Sequence, residues 1–343
     1  MNQINVKEYN WGIALIKAFM CFEVVLYHCW REEHYAWFLK PFDLFGVFAV
    51  PVFMLISFYL TYNHYLEKNF EYARKRFFRL LWPQIGWTVI YGLFLKLYGL
   101  IFKCDGIENW SDLLWQLLLG HSEKINPSMW YQFVLIVITA VFIFVFYFSS
   151  EKTSVFIISL ISIFCIWLQY TGINYDYFSR FSFEVRYPLG RLTEMIPYAG
   201  IGIIFAYANK NINLKKKYWI LLIPVLIGGI SKLGLLLPNT QGFGYCGLTK
   251  ISITSFIVLF VLMIPVEKII INPIRKIVEI LAKYALGVYC SHRLVAKYLF
   301  EILQEEGIET GTFLQSVWIY ILSLMFCCLI AKVFGEYAKK LVV

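Results

Sequence analysis

The stretch from Met129 to Ser149, MWYQFVLIVITAVFIFVFYFS, contains no Asp, Glu, Lys, Arg or His. A helix needs about 20 apolar residues to cross the hydrocarbon core of a bilayer, so this stretch reads as a membrane span. Windows of the same kind recur on both sides of it, and they predict helices at 11–30, 43–63, 80–101, 129–149, 154–171, 191–208, 218–236, 250–266, 284–300 and 313–333. The expected fold is all-α: a polytopic integral membrane protein of about ten transmembrane helices. It forms one transmembrane domain over residues 1–343, with no separate soluble domain.

Composition points the same way. The 343 residues are 60% hydrophobic, 19% aromatic and 15% charged, with a mean hydropathy of +0.65. A soluble domain carries about 25% charged residues, so lipid is the expected solvent. The formal charge of +9 sits in short Lys and Arg clusters between apolar spans. Loop orientation explains that pattern better than nucleic acid binding does. The first apolar run carries Lys17 and Glu23 and has no small-residue cleavage site after His28, which argues for a retained first helix and against a cleaved signal.

Most of the eight cysteines fall in or beside apolar spans, as small core hydrophobes do. Cys104 and Cys246 lie in loops on one side, where an oxidising compartment would allow a disulfide. The histidines are His28, His34, His64, His121 and His292, and only His28 and His292 fall in predicted helices. They lack metal-ligand spacing, so no metal site is expected.

An even number of spans puts both termini on one side. Loops on that side hold the clusters Lys68 to Arg79, Lys210 to Lys217 and Lys268 to Lys283, while the opposite loops carry fewer cations, such as Lys103, Lys124 and Arg180. The positive-inside rule makes both termini cytoplasmic. The outer loop near 102–128 contains the apolar run Leu113 to Leu119, too short to span and expected to be interfacial or re-entrant. The outer loop at 172–190 is rich in Tyr, Phe and Arg. Such a loop reads first as an interfacial belt, and alternatively as a surface for stacking on sugar rings.

Ionisable side chains inside a bilayer are costly and mark candidate functional positions. Lys17 and His28 are eleven residues apart, close to three helical turns, and so share one face about 16 Å apart along the axis. A histidine there can take a proton from a hydroxyl, and a lysine can steer an anion. The same pair also fits a bland role, with Lys17 snorkelling and His28 bonding a backbone carbonyl. Glu32, one turn beyond His28, is the local carboxylate placed to orient the ring.

In the basic segment from Arg74 to Pro83, Arg76 and Arg79 fall on one helical face, which suits a ligand with several phosphates. Plain anchoring at lipid headgroups fits that segment too. His292, Arg191 and Glu194 also fall in predicted spans, and Arg191 and Glu194 are spaced for a buried ion pair. Trp130 and Tyr131 suit either an interfacial belt or a tunnel wall.

Five stretches together resemble the acyltransferase-3 family of ten-helix bacterial membrane proteins. Leu15 to His28 matches its first-helix pattern of a basic residue, ten residues, then histidine, with Lys17 where the family usually has arginine. Val52 to Leu60 is similar to its aromatic second helix with a Ser-Gly pair; Ser57 fits the serine and Phe58 stands where the glycine is. Arg74 to Pro83 resembles its Arg-x-x-Arg motif, and Met129-Trp130-Tyr131 falls where members carry Trp-Tyr or Trp-Phe. Gly287 to His292 resembles its late-helix signature ending in histidine, with Arg293 where proline is common.

The resemblance implies transfer of an acyl group, most often acetyl, from acetyl-CoA as co-substrate to a hydroxyl of an envelope or secreted glycan. It implies a multi-pass protein of the bacterial cytoplasmic membrane with no tightly bound cofactor. His28 takes the place of the essential histidine, Lys17 of the motif arginine, and Arg76 and Arg79, with Arg74 beside them, of the donor-binding cluster. Whether His28 is a base or a transient acyl acceptor stays open. Ser57, Trp130, Tyr131, Arg191, Glu194, His292 and Glu32 are candidates for the substrate tunnel. The rival reading is a transporter or flippase for a glycolipid or small anion, which would also need intramembrane cations. The paired Gly/Pro interruptions common in transporters are not visible.

Overall fold

The computed structural model describes residues 10–29, 40–102, 110–122, 125–171, 179–212, 214, 217–233, 244–266, 269–305, 312–335 and 341–342. Most of the described residues are helical, and none of them is in a strand. The helices are α1 Trp11–Cys29, α2 Lys40–Leu66, α3 Phe70–Phe102, α4 Trp110–Leu119, α5 Trp130–Phe148, α6 Glu151–Thr171, α7 Phe183–Ile212, α8 Leu222–Lys232, α9 Leu248–Met263, α10 Asn272–Glu305 and α11 Thr312–Val333. Short 3-10 turns at Pro127–Met129 and Tyr218–Leu221 lead into α5 and α8.

Local chemistry sets several boundaries. Asn10 accepts from Ile13 N at 3.0 Å and caps α1; Asn69 accepts from the amides of Glu71 and Tyr72 at 2.9 and 3.2 Å and caps α3. The turn between α2 and α3 passes through Lys68 at a φ of 47°. The ammonium of Lys68 donates to the carbonyls of Tyr147 and Ser149 at 3.3 and 3.0 Å, filling acceptors that the end of α5 leaves open.

Five described helices are long and apolar enough to cross a membrane: α1, α2, α5, α6 and α11. The protein is an all-α polytopic membrane protein. The share of the span buried inside the protein is 67% for α1 but 28% for α6, which puts α1 at the centre of the bundle and α6 at its rim. Phe156, Leu160, Ile163, Phe164 and Trp167 of α6 are exposed, as a lipid-facing surface requires. α1 packs on α2, α10 and α11, while α7 packs on α2, α5 and α6. At one end of the bundle Glu151 accepts from the Tyr62 hydroxyl and pairs with Lys210 at 2.8 Å, joining α2, α6 and α7.

Each of the ten predicted spans overlaps a described helix, but their edges shift. Helices α3, α7 and α10 start at Phe70, Phe183 and Asn272, well before the predicted 80, 191 and 284. The basic clusters around Arg74 and Arg275, expected in loops, are therefore helical. Hydropathy marks only the part of a helix that lies in hydrocarbon, whereas a capped helix continues into the interface. For the same reason His64, expected in a loop, lies inside α2, and residues 183–190, expected in the outer loop 172–190, belong to α7.

The predicted span 218–236 is instead the short unit Tyr218–Lys232. Leu113 to Leu119 lies within the ten-residue α4, packed on α3. Glu32, His34 and Cys104 lie outside the described residues, and Cys246 is buried.

The close contact of α7 with α2 depends on Gly202. A Cβ there would strike the carbonyl oxygen of Leu55 and come within 3.1 Å of Tyr59 N. Phe58 on α2, where the family carries glycine, is fully buried and its ring lies 4.9 Å from that of Phe142. The small residue that permits backbone approach therefore comes from the facing helix. Gly202→Ala is expected to cost about 1–3 kcal/mol by overpacking, seen as a lower midpoint of thermal unfolding in detergent. Gly229→Ala, where an added methyl meets nothing within 4 Å, should leave the midpoint unchanged or raise it.

Candidate active site

Three cations from two helices meet around one cavity. Lys17 of α1 and Arg76 and Arg79 of α3 line it with Ser57, Thr61 and His64 of α2 and Tyr131 and Gln132 of α5, around a volume of about 450 Å³. Among the described residues no aspartate or glutamate is in its wall. Arg76 is only 6% exposed, and its guanidinium donates to Ser57 Oγ at 3.0 Å. Among the described residues no carboxylate is within ion-pair distance of Lys17, Arg76 or Arg79. A buried cation without a counter-charge is costly, and a phosphate or carboxylate entering the cavity would relieve that cost.

The local sequence explains the geometry. Capping by Asn69 starts α3 so that Arg76 and Arg79 lie one turn apart on the face toward the cavity. Arg74 is exposed and takes no part in the wall. Pro83 removes one amide from the helical ladder, and in that turn Gln132 Nε2 donates to the carbonyl of Leu80 at 2.6 Å. A second cavity of about 440 Å³ shares Lys17 and Leu60 with the first and extends past Asn10, Glu279 and Lys283.

Farther along α1, His28 meets α10 and the start of α5. Arg293 Nη2 lies 2.9 Å from His28 Nδ1, and Arg293 Nε donates to Ser128 Oγ at 3.1 Å. His28 Nε2 is 3.5 Å from the same Ser128 oxygen. The ring of His28 stacks on that of His292, with centroids 5.2 Å apart and planes at 21°. His292 is fully buried. Its Nδ1 lies 2.6 Å from the carbonyl of Tyr289 and 3.2 Å from that of Val288, so Nδ1 bears the proton. Nε2 of His292 has no hydrogen-bond partner among the described residues and presents a lone pair.

Ser128 is delivered by a short turn. Asn126 precedes proline and is extended, at φ −152° and ψ 95°, and its side chain accepts from Ser128 N at 3.0 Å. Asn126 is itself held by Gln116 of α4 at 3.3 Å and by the carbonyl of Cys290 at 3.4 Å. The Tyr289 hydroxyl donates to the carbonyl of Ser128. On α10, the Tyr91 hydroxyl donates to Cys290 O and accepts from Leu294 N, both at 2.9 Å. That hydroxyl stands in the rung between residues four apart, directly around His292 and Arg293.

Two tyrosines separate the cavity from the histidines. Tyr131 lines the cavity, its ring centroid lies 5.5 Å from that of Tyr289, and Tyr289 in turn lies 6.0 Å from His292. A further aromatic wall surrounds Arg191, whose guanidinium lies 5.0, 4.7 and 4.5 Å from the ring centroids of Trp130, Tyr187 and Tyr245. Arg191 and Glu194 form a buried ion pair at 2.8 Å. His121 stacks on Tyr187 at 4.5 Å. Tyr27, beside His28 at 5.4 Å, is half exposed.

The structure thus gathers Lys17, Ser57, Arg76, Arg79 and Tyr131 at one site and His28 and His292 at another, with Trp130, Arg191 and Glu194 in the aromatic wall. Both ring nitrogens of His28, which Glu32 was expected to orient, face Arg293 and Ser128. Ser128 and Arg293 are the residues that sequence reasoning did not select. A turn at Asn126-Pro127 and an arginine within an apolar span were the available signals.

A family model described as an acyltransferase domain matches residues 10–332. No curated protein and no solved structure matches the chain. With a match over nearly its whole length, and with helices that span the bilayer, the chain belongs to the acyltransferase-3 family and is a multi-pass membrane acyltransferase.

Proposed function

We propose that the protein transfers an acetyl group from acetyl-CoA, taken from the cytoplasmic side, to a hydroxyl of a cell-envelope or secreted glycan at the bacterial inner membrane. The observation that carries this reading is a cavity walled by three cations and, among the described residues, no carboxylate, three helical turns along α1 from a histidine cluster. Coenzyme A has that division of chemistry: its phosphates lie at one end, and the acyl thioester lies at the end of a long flexible arm. Arg76, Arg79 and Lys17 would hold the phosphates. The arm would pass Tyr131 and Tyr289 to bring the thioester to His28. The bias of Lys and Arg toward the loops and helix ends on the side expected to carry both termini supports cytoplasmic entry for the donor. The aromatic wall of Trp130, Tyr187 and Tyr245 offers flat faces for a sugar ring on the opposite side.

In this reading the acceptor hydroxyl attacks the thioester carbonyl carbon, and its proton passes to imidazole. Collapse of the intermediate breaks the carbon–sulfur bond, and the thiolate takes the proton to leave as free coenzyme A. Imidazole serves either as base for this direct transfer or as a transient acyl carrier.

Two outcomes are expected. Mass spectrometry of ester-linked acetyl on envelope polysaccharides should find the ester in cells carrying the intact protein. It should be lost, by ~10²–10⁴-fold in rate, with His28→Ala at matched membrane abundance. Equal ester content with the intact protein, with the variant and with no copy would favour the transporter reading. Arg76→Gln, which removes one charge-assisted donor, should raise the KM for acetyl-CoA roughly tenfold to a hundredfold in membrane assays. An unchanged KM would take Arg76 out of donor binding.

A further inference from the structure

Arg293 stands where the family pattern commonly has proline, and its setting is unusual for a cation inside a membrane bundle. Among the described residues it has no carboxylate within ion-pair distance. Its partners are His28 Nδ1 and Ser128 Oγ, both neutral acceptors. A guanidinium has donors and no acceptor, so Nδ1 of His28 must offer its lone pair to Arg293. The ring is then neutral, with its proton on Nε2, facing Ser128. In this arrangement the only basic nitrogen of His28 is covered. Nη1 of Arg293 makes no hydrogen bond to any described residue.

We propose that Arg293 is the oxyanion-stabilising residue of acyl transfer, held in wait on His28 and Ser128, and that its movement onto the substrate uncovers the base. This rests on the acyl-transfer reading given above. When the acceptor hydroxyl adds to the thioester, a carbon–oxygen bond forms and the carbonyl π pair moves onto oxygen. The guanidinium turns from Nδ1 to that oxyanion, where a preorganised cation in a dry site stabilises developing charge. The freed Nδ1 accepts the proton of the attacking hydroxyl. As the carbonyl reforms, the carbon–sulfur pair leaves on sulfur, the proton passes from Nδ1 to the thiolate, and the guanidinium returns. One side chain thereby keeps the histidine inactive until a carbonyl is present, which protects the thioester from water. The Ser128 contact keeps the guanidinium within reach of both positions.

The test has two arms. Native membranes carrying the intact protein, Arg293→Gln or Arg293→Lys are supplied with [14C]acetyl-CoA, and incorporation into the polymeric glycan fraction is followed. Arg293→Gln should lower kcat by ~10²–10³-fold while KM for acetyl-CoA stays within about twofold, and Arg293→Lys should recover part of kcat. In the second arm, the intact protein with 15N-labelled histidine in nanodiscs should give a His28 resonance pair with bare Nδ1 and protonated Nε2. Arg293→Gln should give a mixture of tautomers. A kcat within about threefold of the intact protein for Arg293→Gln, a rise in KM at constant kcat, or a protonated Nδ1 in the intact protein would each overturn the proposal. If the intact protein transfers no acetyl, the donor-to-glycan reading fails, and the resonance arm alone decides whether Arg293 holds Nδ1.

Discussion

Two guanidinium groups, those of Arg76 and Arg293, sit within the bundle with neutral oxygen and nitrogen partners instead of carboxylates, and holding them there dictates much of the surrounding structure. Hydrocarbon offers no hydrogen bonds, so every polar group at that depth must be served by the protein. Arg76 takes a serine from α2. Arg293 takes a serine from the turn before α5 and a histidine from α1. Arg76 thus ties α3 to the preceding helix α2, and Arg293 ties α10 to α1 and to the start of α5, so the groups that mark the candidate site also join its helices.

The glutamines serve a related end. Gln84 Nε2 donates to the carbonyl of Gln116 at 2.8 Å, Gln132 to Leu80 at 2.6 Å and Gln169 to Thr193 at 3.1 Å. Each brings an amide to a main-chain carbonyl of another helix, which fixes the register between neighbours where apolar packing alone would let them slide. The outer surface has no such bonds to make. Its exposed Phe, Trp, Leu and Ile residues on α6 and α8 meet acyl chains.

The helical fold was legible because a span in lipid has one signature, an apolar run of fixed length. Lys17 and His28 were legible because a charge in such a run is rare, and Arg76 and Arg79 because two cations one turn apart share a helical face. The edges of α3, α7 and α10 were not, since a helix leaving the membrane becomes polar without ceasing to be a helix. The meeting of His28 with Ser128 and Arg293 was also hidden: these two positions lie 100 and 265 residues from His28 in sequence. Periodicity speaks only of one helix at a time. Arg293 was conspicuous as a departure from the family pattern, and only the fold shows it lying against the first-helix histidine.

Helix α3 carries Arg76 and Arg79 near one end and, about 22 Å along its axis, Tyr91. The hydroxyl of Tyr91 is spliced into the backbone ladder of α10 beside His292 and Arg293. A side chain of one helix thus completes the main chain of another. The rod between them has one joint, at Pro83, splinted by Gln132 from α5. Any rotation or axial slip of α3 that follows the filling of the cationic cavity must therefore pull on that borrowed rung. The two ends of the site share a mechanical linkage as well as a bilayer, and the turn of α10 that Tyr91 enters is the one that bears its reactive side chains.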